Sequence, residues 1–128
     1  PIVNENDSIS TEEIKNGDND KLSGKVASLL DAKKLIIMTD QNGVYEENPS
    51  QNINAKLLKK VDLKNFSYSK SSFGNTGVFG RGGMTTKLDA AKNFLKQGNE
   101  AWIVNGHEKN VLLSLIKNRN IGTKLVSS

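Results

Sequence analysis

Apolar runs closed by polar clusters set the rhythm of this chain. Leu35-Ile36-Ile37-Met38 is apolar without alternation and ends in Thr39-Asp40-Gln41-Asn42-Gly43. An unbroken run of that length predicts a central strand covered on both faces. Residues 101–104 repeat the pattern and are closed by Asn105-Gly106, while residues 121–126 predict a closing strand. Pro1-Ile2-Val3 reads as the tail of another buried strand, handing over to Asn4-Glu5-Asn6-Asp7. Between the strands the spacing turns helical. Leu22, Val26, Leu29 and Leu30 predict one helix, and Leu88, Ala91, Phe94 and Leu95 give residues 85–97 an apolar face with Gly98 as the stop. Val111, Leu112, Leu115 and Ile116 mark a last helix, and residues 56–61 predict a short strand or turn. The alternation of strands and helices predicts an α/β layered fold with a mainly parallel sheet and no internal repeat or boundary.

The polar clusters sit where such a fold does its chemistry, because open α/β sheets bind ligands beyond the carboxyl ends of their strands. Asx turns alone explain clusters such as Asn4-Glu5-Asn6-Asp7, and Asp18 or Asp20 in Gly17-Asp18-Asn19-Asp20 would serve as a helix cap. Two Asn/Asp clusters so close together exceed what capping requires. Amides beside carboxylates suit an amino-acid ligand, which carries an ammonium as well as carboxylate.

Residues 74–87, GNTGVFGRGGMTTK, place five glycines ahead of the helix predicted over 85–97. Consecutive backbone N–H groups there are able to form an anion-binding nest, reinforced by the helix N-terminus. Lys87 would stand in the first turn, at the wrong end of the helix dipole, unless an anion lies close by. Neither the Walker sequence nor a complete dinucleotide-binding fingerprint is present, so a plain surface loop is the competing explanation.

Composition narrows the choice. The chain has no cysteine and a single histidine, His107, which excludes disulfides, thiol nucleophiles and thiolate metal sites and leaves His107 as a loop residue. No apolar run reaches the length of a membrane span, and a cytoplasmic protein is expected. The net charge of +4 comes from scattered lysines with few aromatics among them, so nucleic-acid binding is not expected. The 128 residues suit one domain or part of one, and the opening on a strand tail at Pro1 predicts a fragment.

Asn4-Glu5-Asn6-Asp7, Gly17-Asp18-Asn19-Asp20, Thr39-Asp40-x-x-Gly43 and Gly82-Gly83-Met84-x-Thr86-Lys87, followed by Ile121-Gly122-Thr123, resemble in order the motifs of the glutamate 5-kinases of the amino acid kinase family. The resemblance covers essentially the whole chain. It implies a three-layer sandwich of helices around a mainly parallel sheet, of which residues 1–128 would be the carboxyl-terminal, ATP-binding part. It also implies phosphorylation of the side-chain carboxylate of L-glutamate by ATP with Mg²⁺, the first step toward proline. Asn4, Asp7 and Asn19 would hold glutamate, and Asp20 would order the lysines around the transferring phosphoryl group. Thr39 and Asp40 would line the nucleotide site, with Arg81, Gly82, Gly83, Met84, Thr85, Thr86 and Lys87 wrapping ATP and Lys87 neutralising its phosphates. Mg²⁺ would be held mostly through phosphates and water, so no protein ligand is assigned.

Arg81 departs from the small residue that the family places before Gly-Gly-Met. The family's amino-terminal half and the RNA-modification-type domain that often follows the kinase are not matched here, so the segment alone is expected to be inactive, and homo-oligomeric when complete. Related kinases acting on aspartate or N-acetylglutamate, or a non-catalytic nucleotide- or amino-acid-binding module, are the alternatives.

Overall fold

A computed structural model describes residues 1–4, 18–66, 83–96 and 98–128. Its elements follow in the order α1 (Asp18–Leu29), β1 (Lys34–Thr39), β2 (Val44–Tyr45), β3 (Leu57–Leu58), β4 (Lys60–Asp62), α2 (Gly83–Phe94), β5 (Glu100–Asn105), α3 (Val111–Ile116) and β6 (Thr123–Val126). The main sheet has the order β1-β5-β6-β4, and β2 pairs with β3 as a separate hairpin. β1 and β5 run parallel, as do β4 and β6, whereas β5 and β6 are antiparallel, so the sheet is mixed but mainly parallel, as predicted.

Pleating divides the apolar strands between two layers. Leu35, Ile37, Ala101, Ile103 and Leu125 join Ala27 of α1 and Leu88, Ala91 and Phe94 of α2 in the larger core. On the other face Ile36, Trp102 and Val104 meet Val111 and Leu115 of α3. β1 thus carries apolar side chains on both faces, as its unbroken run predicts.

Its position differs from the expectation. Among the described residues β1 is an edge strand, Met38 is 47% exposed, and Ile2 is 97% exposed. Residues 1–4 form no strand; Pro1, Ile2, Val3 and Asn4 instead line a cleft beside β1. Hydropathy reports that a strand wants cover, while edge or centre depends on which strands flank it.

α1 also corrects its predicted face. Leu22 and Leu29 are exposed, and the buried positions are Asp20, Gly24 and Ala27. Close helix packing is the reason: a Cβ on Gly24 would stand 3.1 Å from the Ala90 carbonyl oxygen of α2. That contact selects small residues, and the leucines are turned out of it. α2 begins two residues earlier than predicted, at Gly83, and ends at Phe94 rather than at 97. Its end is satisfied by Asn99, whose amide nitrogen donates to the Phe94 carbonyl at 3.1 Å and whose amide oxygen accepts from the Lys96 N–H at 2.6 Å.

Thr123 is fully buried at the start of β6. Its Oγ1 accepts the Val44 N–H at 2.9 Å and donates to the Leu58 carbonyl at 2.5 Å, tying both strands of the hairpin to the sheet. Thr123→Val keeps the shape but strands two buried backbone groups. Denaturant unfolding should show a loss of about 1–3 kcal/mol, largely recovered in Thr123→Ser.

At the opposite end of the sheet Glu100 gathers three donors. Lys124 Nζ lies 2.7 Å from Oε2, and Lys34 Nζ and Trp102 Nε1 each lie 3.2 Å from Oε1. The Lys124 hydrogen bond, helped by Trp102 and Lys34 and opposed by partial burial, lowers the Glu100 pKa from its ordinary 4.5 to about 2. A depressed carboxylate stabilises the fold above its unfolded pKa and loses that contribution as pH falls through the folded value. Between about pH 5 and pH 2 the wild type should therefore lose about 1–2 kcal/mol relative to Glu100→Gln, a figure reduced for solvent screening of the lysines. Parallel urea titrations across that range measure it.

Candidate functional site: two helix ends joined by a buried ion pair

The first turns of α1 and α2 meet through side chains. Asp20, the third residue of α1, is 8% exposed, and its Oδ2 accepts from Lys87 Nζ at 3.1 Å. Thr86 Oγ1 stands 3.0 Å from the same oxygen. The helical repeat explains the placement. Asp20 lies one turn before Gly24 on α1, and Lys87 one turn before Ala90 and Ala91 on α2, so the Gly24–Ala90 approach that sets the helix spacing also sets the ion pair.

The predicted first-turn position of Lys87 is corrected, and the anion beside it is a side chain of α1. Because α2 starts at Gly83, Lys87 stands one turn inside the helix rather than in its first turn. Its counter-charge is the Asp20 carboxylate, and the two side chains are only 15% and 10% exposed. Asp20 itself sits in the first turn of α1, where a negative charge is favoured by the helix dipole.

The two Asn/Asp clusters are joined here as well. Asn19 Nδ2 donates to Asn4 Oδ1 at 2.9 Å. Both residues, with Asp20 and Ser23, edge a cavity of about 450 Å³ whose inner wall includes Leu35 and Ile37 of β1. Four of the residues predicted for glutamate and phosphoryl handling, Asn4, Asn19, Asp20 and Lys87, therefore fall at one end of the fold. Asp7, Arg81 and Gly82, with most of the glycine-rich stretch, lie outside the described residues.

Thr39 and Asp40 lie at the carboxyl end of β1. Thr39 Oγ1 donates to Asp40 Oδ1 at 3.2 Å and accepts the Gln41 N–H at 3.4 Å. Next to them Asn105 Nδ2 donates to Asn42 Oδ1 at 3.0 Å, linking the end of β5 to the loop that follows β1. Beyond this link opens a second cavity of about 480 Å³, lined by Asn42, Leu57, Asn105, His107 and Asn120. Sequence reasoning set His107 aside and did not reach this cavity. The available signal was that two parallel strands each end in a polar pair, with Thr39 in register with Asn105. Of the remaining predicted residues, Thr85 is half-buried in the first turn of α2, and Met84 packs partly buried against the core.

Among the described residues no group of three or more His, Cys, Asp or Glu is placed to hold a metal ion. No described helix is long and apolar enough to cross a membrane.

The mainly parallel sheet, layered with helices and carrying polar strand ends, defines a segment of an α/β layered fold. The chain belongs to the amino acid kinase family, whose profile matches residues 1–105. It is 40% identical over 126 residues to a protein from Hydrogenovibrio crunogenus named glutamate 5-kinase, covering 98% of this chain and 34% of that one. A glutamate 5-kinase from Shewanella oneidensis is 43% identical over 123 residues, with 96% of this chain and 33% of the relative covered. The chain thus spans about a third of the length of these relatives. In structure it is similar to the isopentenyl phosphate kinase of T. acidophilum, with a TM-score of 0.61 at 21% identity over 84% of this chain and 38% of that one. At that identity the likeness shows the shared fold.

Proposed function

We propose that residues 1–128 are the carboxyl-terminal, ATP-binding part of the kinase domain of a cytoplasmic glutamate 5-kinase. The whole enzyme transfers the γ-phosphoryl group of ATP to the side-chain carboxylate of L-glutamate, giving L-glutamyl 5-phosphate, the first step of proline biosynthesis. The observation that carries this reading is the buried Asp20–Lys87 pair at the meeting of two helix ends. A lysine held by a buried carboxylate is a positioned cation, and phosphoryl transfer needs positioning and charge neutralisation rather than a base.

The acceptor is already an anion. One carboxylate oxygen of glutamate forms the new bond to the γ-phosphorus while the bond from that phosphorus to the β–γ bridging oxygen breaks, and ADP leaves with the electron pair. No proton has to move in this step. In this reading Asn4 and Asn19, joined by their hydrogen bond, bind the amino-acid end of the substrate, and Asp7 is assigned to the same pocket. Lys87 exchanges part of its contact with Asp20 for the phosphate oxygens. Thr39, Asp40, the helix-entry residues 81–85 and Lys87 bind the nucleotide in this reading, with its base directed to the second cavity, which is lined by amides and by Leu57. Mg²⁺, bound through the nucleotide's phosphates and water, adds charge neutralisation when present.

The exposed apolar surface supports the view that this is part of a larger domain. Ile2, Leu30, Met38 and Leu112 line the cleft beside the edge of β1 that no described strand covers, and they are 97%, 60%, 47% and 41% exposed. Further strands and helices of the complete domain would cover them, which is why the segment alone is expected to be inactive.

Calorimetric titration of the folded chain with Mg²⁺ and a non-hydrolysable ATP analogue tests the nucleotide half of the proposal. Binding should weaken by about tenfold or more in Lys87→Ala, the loss of one charge-assisted contact. Equal affinity in both proteins would remove Lys87 from the phosphate site.

A further inference from the structure

We infer that Thr86 is a positioning residue that stabilises the Asp20 carboxylate when Lys87 moves from it to the phosphates. The inference rests on the proposed role of Lys87 and assigns Thr86 a duty other than touching the nucleotide. Thr86 Oγ1 lies 3.0 Å from Asp20 Oδ2, the same oxygen that Lys87 Nζ approaches at 3.1 Å. It also lies 3.0 Å from the Gly83 carbonyl oxygen, one turn back on α2. A hydroxyl has one proton to donate, so these two acceptors compete for it.

The competition gives the site two arrangements. With Lys87 on Asp20 the carboxylate is neutralised, and the Thr86 proton is available to the Gly83 carbonyl as an ordinary helical back-bond. When the ammonium leaves, Asp20 stays behind at 8% exposure, and a buried carboxylate without a donor is strongly destabilised. The Thr86 hydroxyl is already within bonding distance of the vacated oxygen, so its proton turns to Asp20 with no backbone movement. The hydroxyl thereby lowers the penalty for releasing Lys87. Without it, Asp20 would hold the lysine more firmly, and the cation would be less available to the transferring group.

A double-mutant cycle on the stability of the chain reads this without any turnover. Lys87→Met keeps the aliphatic stem and removes the ammonium, imitating the released state. Thr86→Val should reduce the folding equilibrium constant about tenfold more in the Lys87→Met background than in wild type, and Thr86→Ser should restore it in both. An equal effect of Thr86→Val in the two backgrounds would overturn the inference, because a simple helical back-bond is indifferent to Lys87. Were Lys87→Met to prevent folding, the same comparison made with Lys87→Gln decides it. In a catalytically complete chain, Thr86→Val should lower kcat about tenfold with the KM for ATP unchanged and Thr86→Ser near wild type. A raised KM for ATP with kcat unchanged would make Thr86 a nucleotide contact and overturn the positioning role. Coupling in the stability cycle without glutamate-dependent transfer by the complete wild-type chain would reject the proposed reaction while keeping the Thr86–Asp20 relation.

Discussion

Lys87→Ala, placed in a complete kinase chain, is expected to reduce turnover by on the order of 10³-fold, the scale on which a positioned cation acts in phosphoryl transfer. Glutamate affinity should change much less, because the acceptor is proposed to bind through Asn4, Asp7 and Asn19. The same substitution has a structural cost. It leaves Asp20 buried without its ion-pair partner, and removing one member of a largely buried pair costs about 3–5 kcal/mol. The two effects separate by adding Asp20→Asn. The double variant should recover much of the lost stability, since no uncompensated charge remains, and should recover none of the turnover. Steady-state kinetics alongside denaturant melts provide both numbers. Equal losses in turnover and glutamate affinity would point to a misplaced substrate pocket instead of a lost phosphate contact.

The second large effect is expected at Gly122, just before β6. Its φ of +67 lies in the left-handed region, and an added Cβ would collide with the Ile103 carbonyl oxygen and stand 2.7 Å from Val104 Cγ1. Ile103 and Val104 are both fully buried in β5, so neither has room to give way. Gly122→Ala should cost about 2–5 kcal/mol, combining left-handed strain with overpacking. Gly98 offers the control: its φ is +87, but a methyl group added there would meet nothing within 4 Å, so only the backbone term of about 1–2 kcal/mol applies. Urea unfolding of the two variants compares them directly, and equal losses would show that the crowding at Gly122 is relieved by movement of β5.

β1 and β5 were legible in the sequence because each carries a short unbroken apolar run, whereas β2 and β3, two residues each, leave no such mark. α2 was legible because Leu88, Ala91 and Phe94 carry its buried face with large side chains or a clear period. α1 was not, because the contact that buries it is made by Gly24 and Ala27, while Leu22 and Leu29, the residues hydropathy selects, are exposed. A scale that rewards apolar volume misses a helix face chosen for close approach. Thr123 and Asn99 escaped for a related reason: their importance lies in backbone groups they satisfy, Val44 N–H and Leu58 carbonyl for one, Phe94 carbonyl and Lys96 N–H for the other.

The site shows the same division. The unusual position of Lys87 marked it as needing an anion, but no local pattern names a partner 67 residues away. The resemblance placed Asp20 and Lys87 in one site, and packing of α1 on α2 brings them to 3.1 Å. The cavity beyond Asn42 and Asn105 was hidden because it belongs to loops after two strands that are neighbours only in the sheet.

Trapping the acyl phosphate tests the central claim most directly. Residues 1–128 would replace the matching third of the Hydrogenovibrio crunogenus relative, and the purified chimera would be incubated with Mg²⁺, ATP and hydroxylamine in the presence of L-glutamate, L-aspartate or N-acetyl-L-glutamate. A glutamyl phosphate product is captured by hydroxylamine as glutamyl hydroxamate. The predicted result is hydroxamate that requires both ATP and L-glutamate, is much lower with the other two acids, and disappears in Lys87→Ala. A folded chimera that forms no hydroxamate from glutamate, or forms as much from aspartate or N-acetylglutamate, would contradict the assignment.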